Sequence, residues 1–593
     1  MQHERSFRRF ALIVVTAFVA VVTGPSANAT GDVDLWLTIL HNNDGESQLI
    51  DAGGGLEDFG GAARFKTLVD KLKGQVQKGP GRRAGIFVSS GDNFLAGPEF
   101  NASLDAGVFF DAIALDRFRY DAIVLGNHDF DFGPDILVDF INQFLRKVPY
   151  ISANLDFSEE PGLQVLANRK RIVGSIVVNR RGKRIGVVGA TTEQLPFISS
   201  PRNTIVNEVA GAIQGEIDAL TAGGVNIIVV VSHLQSINED IALALELTGV
   251  DVMIAGGGDE LLANADDVLL PGDEADPNLP YPMLAIGADG ANIPVVTTSG
   301  SYRYLGRLVV GLNAAGEVVA LDDPLSGPVR VAGGTEPDAV PPDPIIQALV
   351  VDPVVDFVES LAANVIGTSE VDLDGVRGNV RTMETNEGNL IADSLFWQAT
   401  QLAGSFGTPV PDVALQNGGG IRNDAVIPAG DITELDTFDM VPFGNFVTLV
   451  AGIPRDQFKE IMENAVSQVE NVGGRFAQIS GFSMTYDAAG TAQELDADGN
   501  VTTAGTRVLD ITLDDGTQIV SGGTVVAGDA LNIATIDFLA RGGDQYPYRG
   551  APFTPMGVSY QQALSAYIQD ALAGSITAAQ YPEGGEGRIT RIN

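Results

Sequence analysis

Ala122-Ile123-Val124-Leu125-Gly126-Asn127-His128-Asp129-Phe130-Asp131-Phe132-Gly133 decides the fold. Four apolar residues stop abruptly at a glycine, and a dense run of polar side chains follows. Such a run is too short for a helix and is bounded by a turn signal, so it reads as a buried strand that delivers polar groups at its end. The pattern recurs outward from this point. Leu35–Leu40, Ile86–Val88, Ile185–Val188, Ile227–Val231 and Val252–Ala255 are comparable Val- and Ile-rich runs separated by longer mixed segments. Strands alternating with helical segments define an α/β layer fold with parallel strands. The Gly-, Asp- and Pro-rich stretch from Gly256 to Pro294 reads as a long surface loop.

The chain is 593 residues long, too long for a single core. Prolines 337, 341, 342 and 344 crowd a linker, and Ile345–Val365 carries apolar residues at helical spacing. The expected organisation is a leader over 1–29, a first domain over 30–332, a linker with an inter-domain helix over 333–365, and a second, smaller α/β domain over 366–593. The leader has a basic start at Arg5, Arg8 and Arg9, an apolar run from Phe10 to Val22, and small residues ending at Ala29, where cleavage is expected. Export to a secreted or periplasmic location follows, with no stable membrane anchor. With no cysteine, disulfides and thiolate metal sites are excluded. A formal charge of −40 argues against nucleic-acid polymers and anionic membranes as partners. The same charge means that any phosphate site needs local metal ions or arginines.

The strand ends carry the chemistry. They read His41-Asn42-Asn43-Asp44-Gly45-Glu46, Ser89-Ser90-Gly91-Asp92-Asn93, Gly126 to Asp131, Ser232-His233, and Gly256-Gly257-Gly258-Asp259-Glu260. Groups at the carboxyl ends of parallel strands converge on one crevice. Asp, Glu, Asn and His are the types that hold divalent cations, which a phosphoester hydrolase uses to bind phosphate oxygens and acidify a water.

In order and spacing these motifs resemble the calcineurin-like metallophosphoesterases, and Gly126 to Gly133 resembles the 5′-nucleotidase / UDP-sugar hydrolase branch. The resemblance implies a four-layer α/β/β/α first domain and two divalent ions. It assigns Asp44 to the first metal and Asp92 to both, with Asn127 and His233 on the second. His128 and Asp131 become the catalytic pair. Two positions depart from the family pattern by exchanging imidazole for carboxylate: Glu46 in the first motif and Asp259 in the last, both facing the first metal. A third, Gly257, offers no ligand at all, and a one-residue shift in this motif would bring Glu260 into play. A carboxylate-rich first site favours Ca²⁺, Mg²⁺ or Mn²⁺ over Zn²⁺. Only His3, His41, His128 and His233 exist, and His41 reads as structural.

The second half has its own signatures: Thr385 to Asp393 opening a helix, Asn417-Gly418-Gly419-Gly420-Ile421-Arg422 after a strand, and Phe538 to Asp544. Glycines allow close backbone approach and Arg422 offers a forked cation. These resemble the C-terminal domain of 5′-nucleotidases. The resemblance makes Phe443 and Phe538 a nucleobase sandwich, Asp544 a partner of ribose hydroxyls, and Arg381, Asn417, Gly419 and Arg422 pocket residues. The implied ligand is a nucleotide or nucleotide-derived small molecule, hydrolysed with release of phosphate. Two alternatives stay open: a non-catalytic nucleotide-binding protein, and a hydrolase of UDP-sugars or 2′,3′-cyclic nucleotides. Oligomeric state is not readable.

Overall fold

The computed structural model describes residues 32–496 and 499–593. The leader and its cleavage site therefore lie outside the described residues. Among those described, no helix is long and apolar enough to cross a membrane.

The first half is built on two sheets. In chain order its site-bearing elements are β1 (Leu35–Asn42), α1 (Ala62–Lys73), β2 (Arg83–Ser89), α2 (Phe110–Phe118), β3 (Ala122–Val124), β4 (Ile228–His233) and β5 (Val252–Ile254). β1, β2 and β3 run parallel at the centre of an eight-stranded sheet, and β4 and β5 run parallel within a six-stranded one. The two-residue period of a strand sets the layers. Leu35, Leu37 and Ile39 of β1 and Ala84, Ile86 and Val88 of β2 face the second sheet, packing on Val187, Val229 and Val231. Leu40 and Phe87 point the other way, onto helices through Phe65, Leu68 and Leu115. The result is the four-layer α/β/β/α arrangement.

Two expectations about local structure are corrected. Residues 256–294 are not loop throughout, because Met283–Ile286 pairs antiparallel with Asn292–Val296 at the sheet edge. That edge strand buries Ala285 but leaves Leu284 67% and Ile286 57% exposed, so its pattern is inverted against the usual apolar-in alternation. The connecting helix also ends earlier than Val365. α3 (Asp352–Ala363) stops where Asn364 turns extended, and Val365 already begins a strand. The Asp343 side chain caps the preceding turn by accepting from the Ile345 and Ile346 amides.

In the second half, α4 (Asn386–Phe406) packs on a five-stranded sheet containing β6 (Val413–Asn417) and β7 (Leu531–Ile536). Thr385 caps α4 through the Gly388 amide at 3.0 Å, and Gly407 closes it with φ 65°. A second five-stranded sheet, largely antiparallel, spans 482–592. The expectation of a simple α/β pattern gave no sign of it.

Leu37 is fully buried between the two sheets of the first half. Leu37→Ala is expected to destabilise that half by roughly 2–5 kcal/mol, read as an earlier unfolding midpoint in urea.

Candidate functional site

Four strand ends aim their polar residues at one point. The turn after β1 holds Asp44, Glu46 and Ser47 at φ 48°, 50° and 57°, and the turn after β2 holds Asp92 at φ 47°. Left-handed backbone is costly for residues with a side chain and collects at functional sites. Here it turns three carboxylates inward. Space is scarce: a Cβ on Gly126 would overlap the Asp92 carboxylate. Asp129 is buried beneath, accepting from the Gly126 amide at 2.7 Å and from Asn93 Nδ2 at 3.0 Å, so it fastens the turn and faces no ligand.

Two clusters offer ligand atoms mutually within 4.8 Å: Asp44, Asp92 and His233, and Glu46, Asp92 and His128. Asp92 belongs to both. His233 is fully buried, with Nδ1 2.7 Å from the Ser90 carbonyl and Nε2 3.1 Å from Asp92 Oδ2. Asn127 Oδ1 lies 3.0 Å from His233 Nε2, beside the first cluster. The partition differs from the one implied by the family. Asp44 groups with His233, and Glu46 groups with His128, so each cluster contains an imidazole and neither is wholly carboxylate.

Asp259 is not brought in. It is exposed and belongs to neither cluster. The reason lies in the glycine run before it. Gly257 has φ 86° and a Cβ there would overlap the Leu234 carbonyl, so this turn takes no side chain, and Asp259 reaches Glu46 only as a nearby charge. Glu260 is committed to the Ile237 amide at 3.1 Å. In place of a side chain, the Gly257 N–H donates to Asp44 Oδ2 at 3.2 Å. His41 is buried 2.8 Å from Tyr281 Oη, outside both clusters.

The electrostatics favour a cation. Burial, reinforced by neighbouring carboxylates, pushes Asp44 up to about 7 and Glu46 up to about 8. Burial also opposes ionisation of Asp92, but His233 and His128 outweigh it and hold its carboxyl below the usual range. Burial pulls the other way on His233, yet Asp92 and Asp44 raise it to about 10. Buried negative groups face one another with only imidazoles between them. A divalent ion answers that arrangement, and the donor sets fit one in each cluster.

His128 Nδ1 lies 2.6 Å from Asp131 Oδ2. The Asp131 and Asp92 carboxylates overcome burial and hold this imidazole well above its ordinary range. Ser199, which sequence reasoning missed, donates to the other Asp131 oxygen at 2.8 Å. Its neighbour Ser200 accepts from Arg541 of the second half at 2.8 Å. Arg541 in turn is 2.9 Å from Asp537, which accepts the Phe446 amide. A continuous set of contacts thus runs from the Phe538 segment to the His128 pair. Ser199 lies in no motif, and nothing in its neighbourhood announces it.

Asn127, His128 and Asp131 form one wall of a cavity of about 350 Å³, together with Ser199, Ser200 and Gln235. The facing wall comes from the second half: Arg377, Arg381, Asn417, Gly419, Arg422, Phe443, Phe538, Arg541 and Asp544. Gln235, Arg377 and Arg541 were also missed. Gln235 carried a signal, two residues beyond the end of β4, and Arg541 sits inside the Phe538 to Asp544 signature. Asn417 Nδ2 donates to Asp544 Oδ2 at 2.6 Å. Burial, with Arg377 and Arg422 nearby, pulls Arg381 down to about 10, as expected of cations crowded around an anion's place. Phe443 lies parallel to the His128 ring at 6.4 Å, with the Arg422 guanidinium 4.9 Å from its centre. Phe538 rests on Gly543, where a Cβ would touch its ring at 2.5 Å.

Comparison with known proteins gives a consistent set. Residues 365–549 match the family model for the 5′-nucleotidase C-terminal domain. The chain is 30% identical to the trifunctional nucleotide phosphoesterase protein YfkN of Bacillus subtilis over 86% of its own length, spanning about a third (32%) of that relative. It is 28% identical to human 5′-nucleotidase, covering 76% of this chain and 75% of that one. The crystal structure of a 5′-nucleotidase precursor from Thermus thermophilus superimposes with a TM-score of 0.69 at 30% identity, covering 94% of this chain and 99% of that one.

Purified protein is expected to retain divalent metal by elemental mass spectrometry. Asp92→Ala should empty both clusters, since it serves both, whereas Asp259→Ala should leave the metal content unchanged.

Proposed function

The chain belongs to the 5′-nucleotidase family, and on that footing we propose that it is an exported phosphoric-ester hydrolase that releases phosphate from nucleotides. One observation carries the reading. A single cavity has the His128–Asp131 pair and Asn127 on one wall, with His128 shared with the Glu46–Asp92 cluster, and a cationic, aromatic wall from the other half. A nucleotide needs both, because its phosphate and its base lie at opposite ends.

In this reading Asp44, Asp92, Asn127 and His233 hold one divalent ion, and Asp92 with Glu46 serves the other. Bound ions supply Lewis acidity toward the phosphoryl oxygens and the attacking water. The oxygen-dominated donors favour Mg²⁺, Mn²⁺ or Ca²⁺ over Zn²⁺. Arg381 and Arg422 take phosphate oxygens, and guanidinium forks suit that geometry. Phe443 and Phe538 flank the base, and Asp544, held by Asn417, takes ribose hydroxyls. With Nδ1 engaged by Asp131, His128 presents Nε2 to the substrate. A proton at Nε2 stabilises the developing charge and passes to the leaving ribose oxygen. Ser199 keeps Asp131 in place for that role.

Phosphate release from AMP is the test. It is expected with added Mg²⁺ or Mn²⁺ and lost with chelator or in Asp92→Ala. A panel of UDP-glucose and 2′,3′-cyclic AMP should give slower turnover than AMP. Nucleotide binding without release under Mg²⁺, Mn²⁺, Ca²⁺ or Zn²⁺ would replace the enzyme reading with a binding protein. Rescue by Zn²⁺ alone would reverse the metal preference.

Ser199→Ala is expected to lower kcat about tenfold with KM little changed, the size of a lost hydrogen bond to a charged group. Ser199→Thr should restore much of it.

A further inference from the structure

Residues 64–184 hold 18 of the chain's 36 Lys and Arg but only 14 of its 76 Asp and Glu. In a protein of charge −40 this one segment is net positive, and much of the excess gathers around one cavity. The cavity, about 450 Å³, opens at the amino-terminal ends of β2 and β3, the opposite end of the strands from the catalytic clusters. Lys73, Arg119, Arg146, Arg180 and Arg181 line it, with Asp121 as the single carboxylate.

Part of this lining has a structural task. Arg180 is fixed by the Gly85 carbonyl at 2.9 Å and by Asp121 at 2.6 Å, with which it forms a neutral pair. Lys73 donates to the Phe118 and Arg119 carbonyls at the end of α2, both at 2.8 Å, and lies 4.3 Å over the Phe87 ring. It has no carboxylate, and burial pulls its ammonium down to about 8. The remaining three have no such explanation. Arg181 donates to Gln77 at 2.6 Å, a neutral partner. Arg119 and Arg146 have no side-chain partner among the described residues. Arg119 is also held at φ 65°.

With two acids per base in the chain, carboxylates are plentiful, yet the one in this hollow, Asp121, is engaged by Arg180, and Lys73 and the solvent-exposed Arg119, Arg146 and Arg181 share the space with no ion-pair partner of their own among the described residues. Like charges facing one another repel, and the cost is removed when an anion sits among them. The substrate cavity shows the same arrangement in Arg377, Arg381 and Arg422. We propose that the cavity between α1, α2 and β2 is a second anion site, separate from the catalytic centre, that binds a small, multiply charged phosphate. Three guanidinium groups around one hollow exceed what a single carboxylate needs. Their forked donors match the several oxygens of a di- or triphosphate. The proposal does not depend on the catalytic reading.

The test is calorimetric titration of the full chain with pyrophosphate, in chelator and at low salt. Arg422→Ala, which weakens the substrate pocket, should keep one saturable site. Adding Arg119→Glu and Arg146→Glu should weaken that site at least tenfold. Arg119→Gln with Arg146→Gln replaces the reversal if circular dichroism shows that the latter misfolds. Unchanged affinity in the Arg119/Arg146 variants, no saturable binding in Arg422→Ala, or citrate binding as tightly as pyrophosphate would each overturn the proposal. ATP binding tighter than tripolyphosphate would identify a nucleotide as the source of the phosphate, and equal affinities an inorganic one.

Discussion

The structure turns on the burial of like charges. Asp44, Asp92 and the half-buried Glu46 are pressed together at the ends of parallel strands, on backbone that side chains rarely adopt. Uncompensated, such a set is costly, because each carboxylate loses water and gains a repulsive neighbour. The fold offers His233, His128 and the Gly257 amide as partial answers. What remains is a demand for positive charge that the protein does not meet by itself. The strained turns, the close-packed glycines and the supporting Asp129 all serve to hold that demand in place.

The second constraint is that the site is divided. One half carries the acidic clusters and the His128–Asp131 pair, and the other carries arginines and aromatic rings. Neither wall alone suits a nucleotide. Phe443 shows how closely they meet, since it belongs to the second half yet lies parallel to His128 of the first. Gly444 beside it has Phe132 within 3.0 Å of where a side chain would begin, so the contact tolerates little bulk.

Much of this was legible in the sequence because strand ends announce themselves. The apolar run at Ala122–Leu125 and its polar continuation identify both layer and site, as do the runs ending at Asp44, Asp92 and His233. What was not legible depends on backbone direction. Asp259 follows the right strand at a sensible spacing, but after three glycines it ends exposed, near Glu46 yet in neither cluster. The edge strand Met283–Ile286 hides because its apolar residues face outward. Ser199 and Ser200 matter through contacts 68 and 341 residues away in sequence, and hydroxyls in an irregular segment carry no periodic signal.

The Arg541–Ser200 contact has a consequence for how the site is held. Ser200 is bonded in sequence to Ser199, and Ser199 holds the carboxylate that orients His128. The seam between the halves and the alignment of the imidazole are therefore one residue apart. A change that loosens the first is felt by the second, so the imidazole's bearing is a property of both halves together and of neither by itself.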